Sequence, residues 1–208
     1  MIKHVIFDFD GTIADSKDLA INLYNEVADK HNLTKVKDED INYFSSLSII
    51  ERCKLLNVPL YKIPMLAVEL RKNYLESINM LKAFEGIKEV IWELLKEGYQ
   101  LSIISSNSSD NIKQFLKNNQ IDVFTSEYSA SSIFGKDKKL SNFIKKYNLD
   151  SDEVIYIGDE HRDVDACKKS NVKVIAVTWG FDALELIEKA NPDFIANTPK
   201  DILDVIKN

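Results

Sequence analysis

Along most of the chain, short uninterrupted apolar runs alternate with stretches whose apolar positions recur at helical spacing. The first run, HVIF within Ile2–Phe9, is rich in β-branched and aromatic residues and ends at Asp-Gly-Thr, the pattern of a buried strand entering a turn. Similar runs recur at Leu101–Ile104, Val154–Ile157, Val172–Val177 and, more weakly, Phe194–Ala196. Between them, Ile87, Val90, Ile91, Leu94 and Leu95 share one helical face closed by Gly98. Ile112, Phe115 and Leu116 form the next face, followed by Leu140, Phe143, Ile144 and Tyr147. This alternation predicts an α/β fold: a Rossmann-like, doubly wound parallel sheet between two helical layers.

Residues 16–83 break the alternation. Only helical spacing is found there: Leu19, Leu23 and Val27; then Ile49, Ile50, Cys53 and Leu56; then Leu66, Leu70, Tyr74 and Ile78. Pro59 and Pro64 punctuate the last two groups, as at a turn between helices. The expected organisation is a core of residues 1–15 and 84–208 with an inserted α-helical cap over 16–83. An insert at the carboxyl end of a strand overhangs the edge where open α/β sheets bind ligands, so it is expected to act as a lid.

Composition narrows the classes. A hydrophobic fraction of 45% is enough to build a core, which argues against disorder. No uncharged apolar run reaches the roughly 18–20 residues that span a bilayer. The sequence passes from Met1 into a strand without a basic region, an apolar stretch and a cleavage site, so a cytoplasmic protein with no membrane partner is expected. The net charge is −6 and the Lys and Arg residues are scattered, which argues against nucleic acid as the main partner. A monomer and a homodimer are both compatible. Cys53 and Cys167 lie in helical patterns and read as small buried hydrophobes.

The chemistry collects at strand ends. Asp8-Phe9-Asp10-Gly11-Thr12 closes the first run; alternation puts Asp8 and Asp10 on one side, and Gly11 allows a sharp turn with backbone N–H groups near a ligand. Ser105-Ser106-Asn107 follows the second run, Lys136 and Lys138 precede a helical pattern, and Gly158-Asp159 with Asp163 follows the run Val154–Ile157. Carboxyl ends of a parallel sheet share one edge, so these groups can converge. Two carboxylates about 4 Å apart repel by roughly 4 kcal/mol at an effective dielectric near 20, and a cation would relieve that. An all-oxygen ligand set suits a hard cation, Mg²⁺ first.

Four such motifs in this order resemble the haloacid dehalogenase superfamily of phosphohydrolases. The helical stretch after DFDGT resembles its helical-cap members, the phosphoglycolate phosphatase-like and β-phosphoglucomutase-like groups. The segments FEGIKEVIWELLKEGY and VIYIGDEHRDVDACKKSNV are also similar to the family, so the resemblance spans nearly the whole chain. It implies a Mg²⁺-dependent phosphomonoesterase of a small phosphorylated metabolite. In that reading Asp8 is the nucleophile, Asp10 the general acid and base, and Ser105 and Lys136 complete the catalytic set. Gly11, Thr12, Ser106 and Asn107 line the phosphate, and Asp8, Asp10, Asp159 and Asp163 hold the metal. The proline that relatives place after the lysine is absent, which leaves Lys138 as the alternative to Lys136.

Plainer readings stand beside these. Ser106-Asn107 could cap a helix, and Asp163 could simply favour a helix start. His4 and His31 read as structural, His161 and Arg162 as solvated loop residues, Trp179-Gly180-Phe181 as packing, and Tyr24, Tyr43, Phe44, Tyr61 and Tyr74 as cap core. A phosphomutase shares all four motifs, and a phosphonatase would need an amine from a cap lysine. A dehalogenase needs neither the second aspartate nor the metal. A non-catalytic phosphate-binding regulator is the alternative from a different class.

Overall fold

The computed structural model describes residues 1–129 and 135–207. Six parallel strands form one sheet: β1 (His4–Phe7), β2 (Gln100–Ser105), β3 (Ser126–Ser129), β4 (Val154–Gly158), β5 (Lys173–Val177) and β6 (Phe194–Ala196). Their order is β3-β2-β1-β4-β5-β6, so the direction of winding reverses beside β1. A crevice therefore opens at the carboxyl ends of β1, β2 and β4.

Four α-helices follow β1 directly: α1 (Lys17–His31), α2 (Ile41–Ser45), α3 (Ile49–Leu55) and α4 (Ile63–Ser77). The remaining helices cover the sheet: α5 (Ile87–Lys96), α6 (Ser109–Asn118), α7 (Lys136–Tyr147), α8 (His161–Ser170), α9 (Leu184–Lys189) and α10 (Pro199–Lys207). Strand β3 has no counterpart among the apolar runs. Its sequence is Ser-Glu-Tyr-Ser, and it occupies the sheet edge with β2 on one side only, where an apolar run is not required.

Strand β1 is buried on both faces, so its alternate residues feed two cores. Val5, Phe7 and Phe9 pack with Ile91 of α5, Phe115 of α6 and Ile202 of α10. Ile6 packs on the opposite face with Phe143 of α7, Cys167 of α8 and Ile187 of α9. A third cluster, built on Val27, Val36, Cys53, Leu56, Val58 and Leu66, holds the inserted helices to one another. Both cysteines are buried and unpaired. Ile50 departs from its expected face and is exposed.

The insert leaves and re-enters the core through one short antiparallel crossing. Asp15 N–H donates to Lys82 O at 3.0 Å, and Phe84 N–H donates to Ile13 O at 3.0 Å, on either side of the Ala14–Ala83 bridge. Among the described residues, no helix is long and apolar enough to cross a membrane.

Candidate active site

Asp8 continues β1 by one residue, its N–H donating to Ile157 O at 2.7 Å, which carries it to the carboxyl edge between β2 and β4. Its carboxylate is buried. Oδ1 accepts the Phe9 N–H at 2.7 Å and Oδ2 accepts Lys136 Nζ at 2.7 Å. Lys136 opens α7, so both lysines of that segment lie within its first turn rather than ahead of it. The buried Lys136 ammonium also pairs with Asp163 and lies 5.3 Å from the centre of the Tyr156 ring. Burial alone would lower its pKa, but Asp163 and Asp8 outweigh that and hold it above its ordinary value. Lys138 is exposed.

After Phe9 the chain folds back on itself: the N–H groups of Ile13 and Ala14 both donate to Phe9 O at 2.9 Å. Gly11 makes this possible with φ +73°, and a Cβ there would collide with the Asp159 carboxylate and the Phe181 ring. Gly180 packs against Asp159 from elsewhere in the chain under the same restriction. Held between two glycines, Asp159 accepts Thr12 Oγ1 at 2.9 Å and the Phe181 N–H at 2.8 Å. Its complete burial, followed by the charges of Glu160, Asp8 and Asp163, pushes its pKa well up.

Asp10 is turned toward the insert. Its Oδ1 accepts Tyr74 Oη of α4 at 2.7 Å, and its Oδ2 accepts Asn107 Nδ2 at 2.9 Å. Burial raises its pKa, and these two hydrogen bonds offset part of the rise. Tyr74 is therefore more than cap core: it joins the insert to a candidate catalytic carboxylate. The buried Oγ of Ser16 has no hydrogen-bond partner among the described residues.

Ser105 ends β2, buried, and its Oγ accepts the Asn107 N–H at 3.1 Å. The Ser106 carbonyl accepts Arg71 Nε at 3.1 Å and Nη2 at 2.7 Å. The helix cap falls to Ser108, which accepts the Asn111 N–H at 3.2 Å.

Among the described residues, the carboxylates close enough to share a metal ion are Asp8, Glu160 and Asp163, with ligand atoms within 4.8 Å of one another. Glu160 is the one of these three that the four motifs do not single out, although it is an acidic residue at a strand end immediately after Gly158-Asp159. Burial raises the Asp163 pKa to about 7; Lys136 opposes the rise, while Asp8 and Glu160 add to it. Glu160 feels the same burial, but Arg162, whose Nε donates to it at 2.7 Å, outweighs that and holds its pKa below the ordinary value. Three buried acids crowded in this way, all offering oxygen, fit a hard divalent cation.

His161 and Arg162 are not solvated loop residues. They open α8, and both the N–H and Nδ1 of His161 reach Asp182 Oδ2, at 2.7 and 2.8 Å. Arg52 of α3 pairs with the same buried Asp182 and thereby ties the insert to the core. A cavity of about 310 Å³ lies between insert and core, with Asp10, Asn107, Glu160 and Phe181 among its core residues and Tyr24, Phe44 and Tyr74 among those of the insert.

A doubly wound parallel sheet with clustered acids and a lysine at its switch point, beneath a helical insert, defines an α/β protein with a buried acidic site at the edge where such sheets bind ligands. Comparison with known proteins makes the class specific. The sequence profile of the haloacid dehalogenase-like hydrolases matches residues 5–177, and the chain belongs to that family. It is 29% identical over 209 residues to a phosphoglycolate phosphatase of Synechococcus elongatus, covering 99% of this chain and 97% of the relative. It is 21% identical over 212 residues to the pyrophosphatase PpaX of Bacillus cereus, covering 100% and 97%. The crystal structure of a predicted phosphatase from Clostridium acetobutylicum has the same fold, with a TM-score of 0.86 at 22% identity and coverage of 100% and 99%.

Proposed function

We propose that this hydrolase is a Mg²⁺-dependent phosphomonoesterase of a small phosphorylated metabolite, working through an aspartyl-phosphate on Asp8. The observation that carries this reading is the setting of Asp8: a buried carboxylate restrained by Lys136 and the Phe9 N–H, beside two further acids and under the insert that supplies Tyr74 to Asp10. The names of the relatives, a phosphoglycolate phosphatase and a pyrophosphatase, agree with a phosphorylated substrate.

In the first half-reaction Asp8 attacks phosphorus while the bond to the leaving oxygen breaks. Asp10, whose pKa is raised by burial, gives its proton to that oxygen. In the second half-reaction Asp10 takes a proton from the water that attacks the aspartyl-phosphate, releasing inorganic phosphate and restoring Asp8. Lys136 offsets phosphate charge, and Ser105 with groups of Gly11, Thr12, Ser106 and Asn107 contacts the phosphate oxygens. Mg²⁺ would be held by the acids at this edge, Asp8 with Glu160, Asp163 and Asp159 and with the backbone of Asp10, and would supply electrostatic stabilisation of the transferring group. The inserted residues 16–83 act as a cap that excludes water from the transfer.

The test is phosphate release from a panel of phosphorylated metabolites with Mg²⁺, with chelator, and with Asp8→Asn. Release should require both Mg²⁺ and Asp8, with a loss of at least about 10³-fold in the variant. Silence across the panel from folded, Mg²⁺-loaded protein would overturn the reading.

A further inference from the structure

The cavity above the site has two unlike halves. Its core side is mostly polar, contributed by Asp10, Ser106, Asn107, Glu160 and Arg162. Its insert side is mostly apolar, with Ile21, Tyr24, Ile41, Phe44, Leu56 and Leu70 among the lining residues. Four cations border it, and each makes a bond within the protein. Arg162 pairs with Glu160, and Arg52 pairs with Asp182 while its Nε donates to Phe44 O at 2.7 Å. Lys17 Nζ donates to Gly180 O at 3.2 Å, and Arg71 donates twice to Ser106 O. A second acidic group held on the insert side would be desolvated against aliphatic and aromatic walls.

Resting on the phosphomonoesterase reading, we infer that the substrate is a phosphate ester whose alcohol half is an apolar body, and not a short dianion or a second phosphate. The volume sets its size. About 310 Å³ is twice the roughly 150 Å³ that accommodates a benzene ring, so one substituted ring or an alkyl chain of similar bulk fills it. The apolar lining belongs to the insert and Asp10 to the core, so the phosphate meets the core while the alcohol half fills the insert side.

The experiment compares kcat/KM, with Mg²⁺, for ethyl, butyl and hexyl phosphate, 1-naphthyl phosphate, 2-phosphoglycolate and pyrophosphate. Burying each methylene should raise kcat/KM about threefold to fourfold along the alkyl series. Ala67→Phe, which introduces a ring from α4 into the cavity, should flatten that slope and cut the naphthyl-to-ethyl ratio by about tenfold or more, with melting temperature as the control for folding. A flat alkyl series, or a preference for 2-phosphoglycolate or pyrophosphate over hexyl phosphate, would overturn the inference while leaving the phosphatase reading intact. If no ester releases phosphate, the phosphatase reading falls, and fluorescence-detected binding of 1-naphthyl phosphate decides the cavity separately. Saturable binding weakened by Ala67→Phe supports an apolar occupant, and absence of binding overturns it.

Discussion

Tyr74 shows how much one hydroxyl can carry. Its phenol has one donor, and that donor is spent on Asp10 across the boundary between insert and core. Tyr74→Phe keeps the ring in its packing and removes only that bond, so stability should fall by about 1 kcal/mol. With Asp10 as the proposed general acid, kcat should fall by about tenfold or more, within the range typical of general acid–base groups. Equal kcat in both proteins would remove Tyr74 from the positioning of Asp10. His4 offers a second test at this scale. Its ring contacts Ser102 Oγ at 2.9 Å and packs edge-on against Phe143, and burial lowers its pKa from 6.5 to about 4. The folded state therefore keeps the ring neutral where the unfolded chain would protonate it. The associated stability is present above pH 6.5 and is lost as pH falls from 6.5 toward 4. The full shift corresponds to about 3 kcal/mol, and solvent screening reduces this to about 1–2 kcal/mol. Urea unfolding of wild type and His4→Phe at pH 7 and pH 5 measures it: wild type should lose that increment relative to the variant.

At the scale of elements, the insert is joined to the core in two ways. The antiparallel crossing at Ala14 and Ala83 is covalently continuous, whereas the junction at Asp182 is made of charges. Asp182 is buried and receives Arg52 from α3 together with the His161 N–H and ring from α8, and nearby Ala183 N–H donates to Ser45 O of α2 at 2.8 Å. Removing one partner of such a pair leaves the other charge buried, at a cost of about 3–5 kcal/mol. Arg52→Leu should therefore destabilise the protein by several times more than Lys3→Leu, whose partner Glu153 lies at the surface. Equal effects in chemical denaturation would count against a buried ionic junction. The edge strand β3 belongs to the same scale: it exists because β2 supplies a ladder, not because of its own apolar content.

For the molecule as a whole, stability is coupled to the site. Asp8, Glu160 and Asp163 crowd one small volume at the carboxyl ends of the buried strands β1 and β4. A divalent ion that binds them only in the folded state should raise the melting temperature in proportion to RT ln(1 + [L]/Kd). At one hundred times Kd this is about 2.7 kcal/mol, or about 5–10 °C for a chain of this size. Scanning calorimetry with Mg²⁺ and then with chelator reads the shift directly, and its absence would argue against a metal among these acids.

By itself, the sequence determined the layered α/β fold, the position of the helical insert and the strand-end location of the candidate groups. These follow from local periodicity and turn chemistry: a doubly buried strand must be apolar, a helix facing a sheet must repeat at helical spacing, and Asp-Gly-Thr must turn. Tertiary structure alone decided which side chains meet. Lys136 and not Lys138 reaches Asp8, because the first turn of α7 directs one inward and leaves the other in solvent. Glu160 joins Asp8 and Asp163, and Asp159 beside them accepts Thr12 Oγ1 and the Phe181 N–H. Tyr74 and Asp182 gain their roles from contacts with residues more than sixty and one hundred positions distant. Such pairings depend on how sheet, helices and insert pack in space, and no local pattern in the chain encodes them.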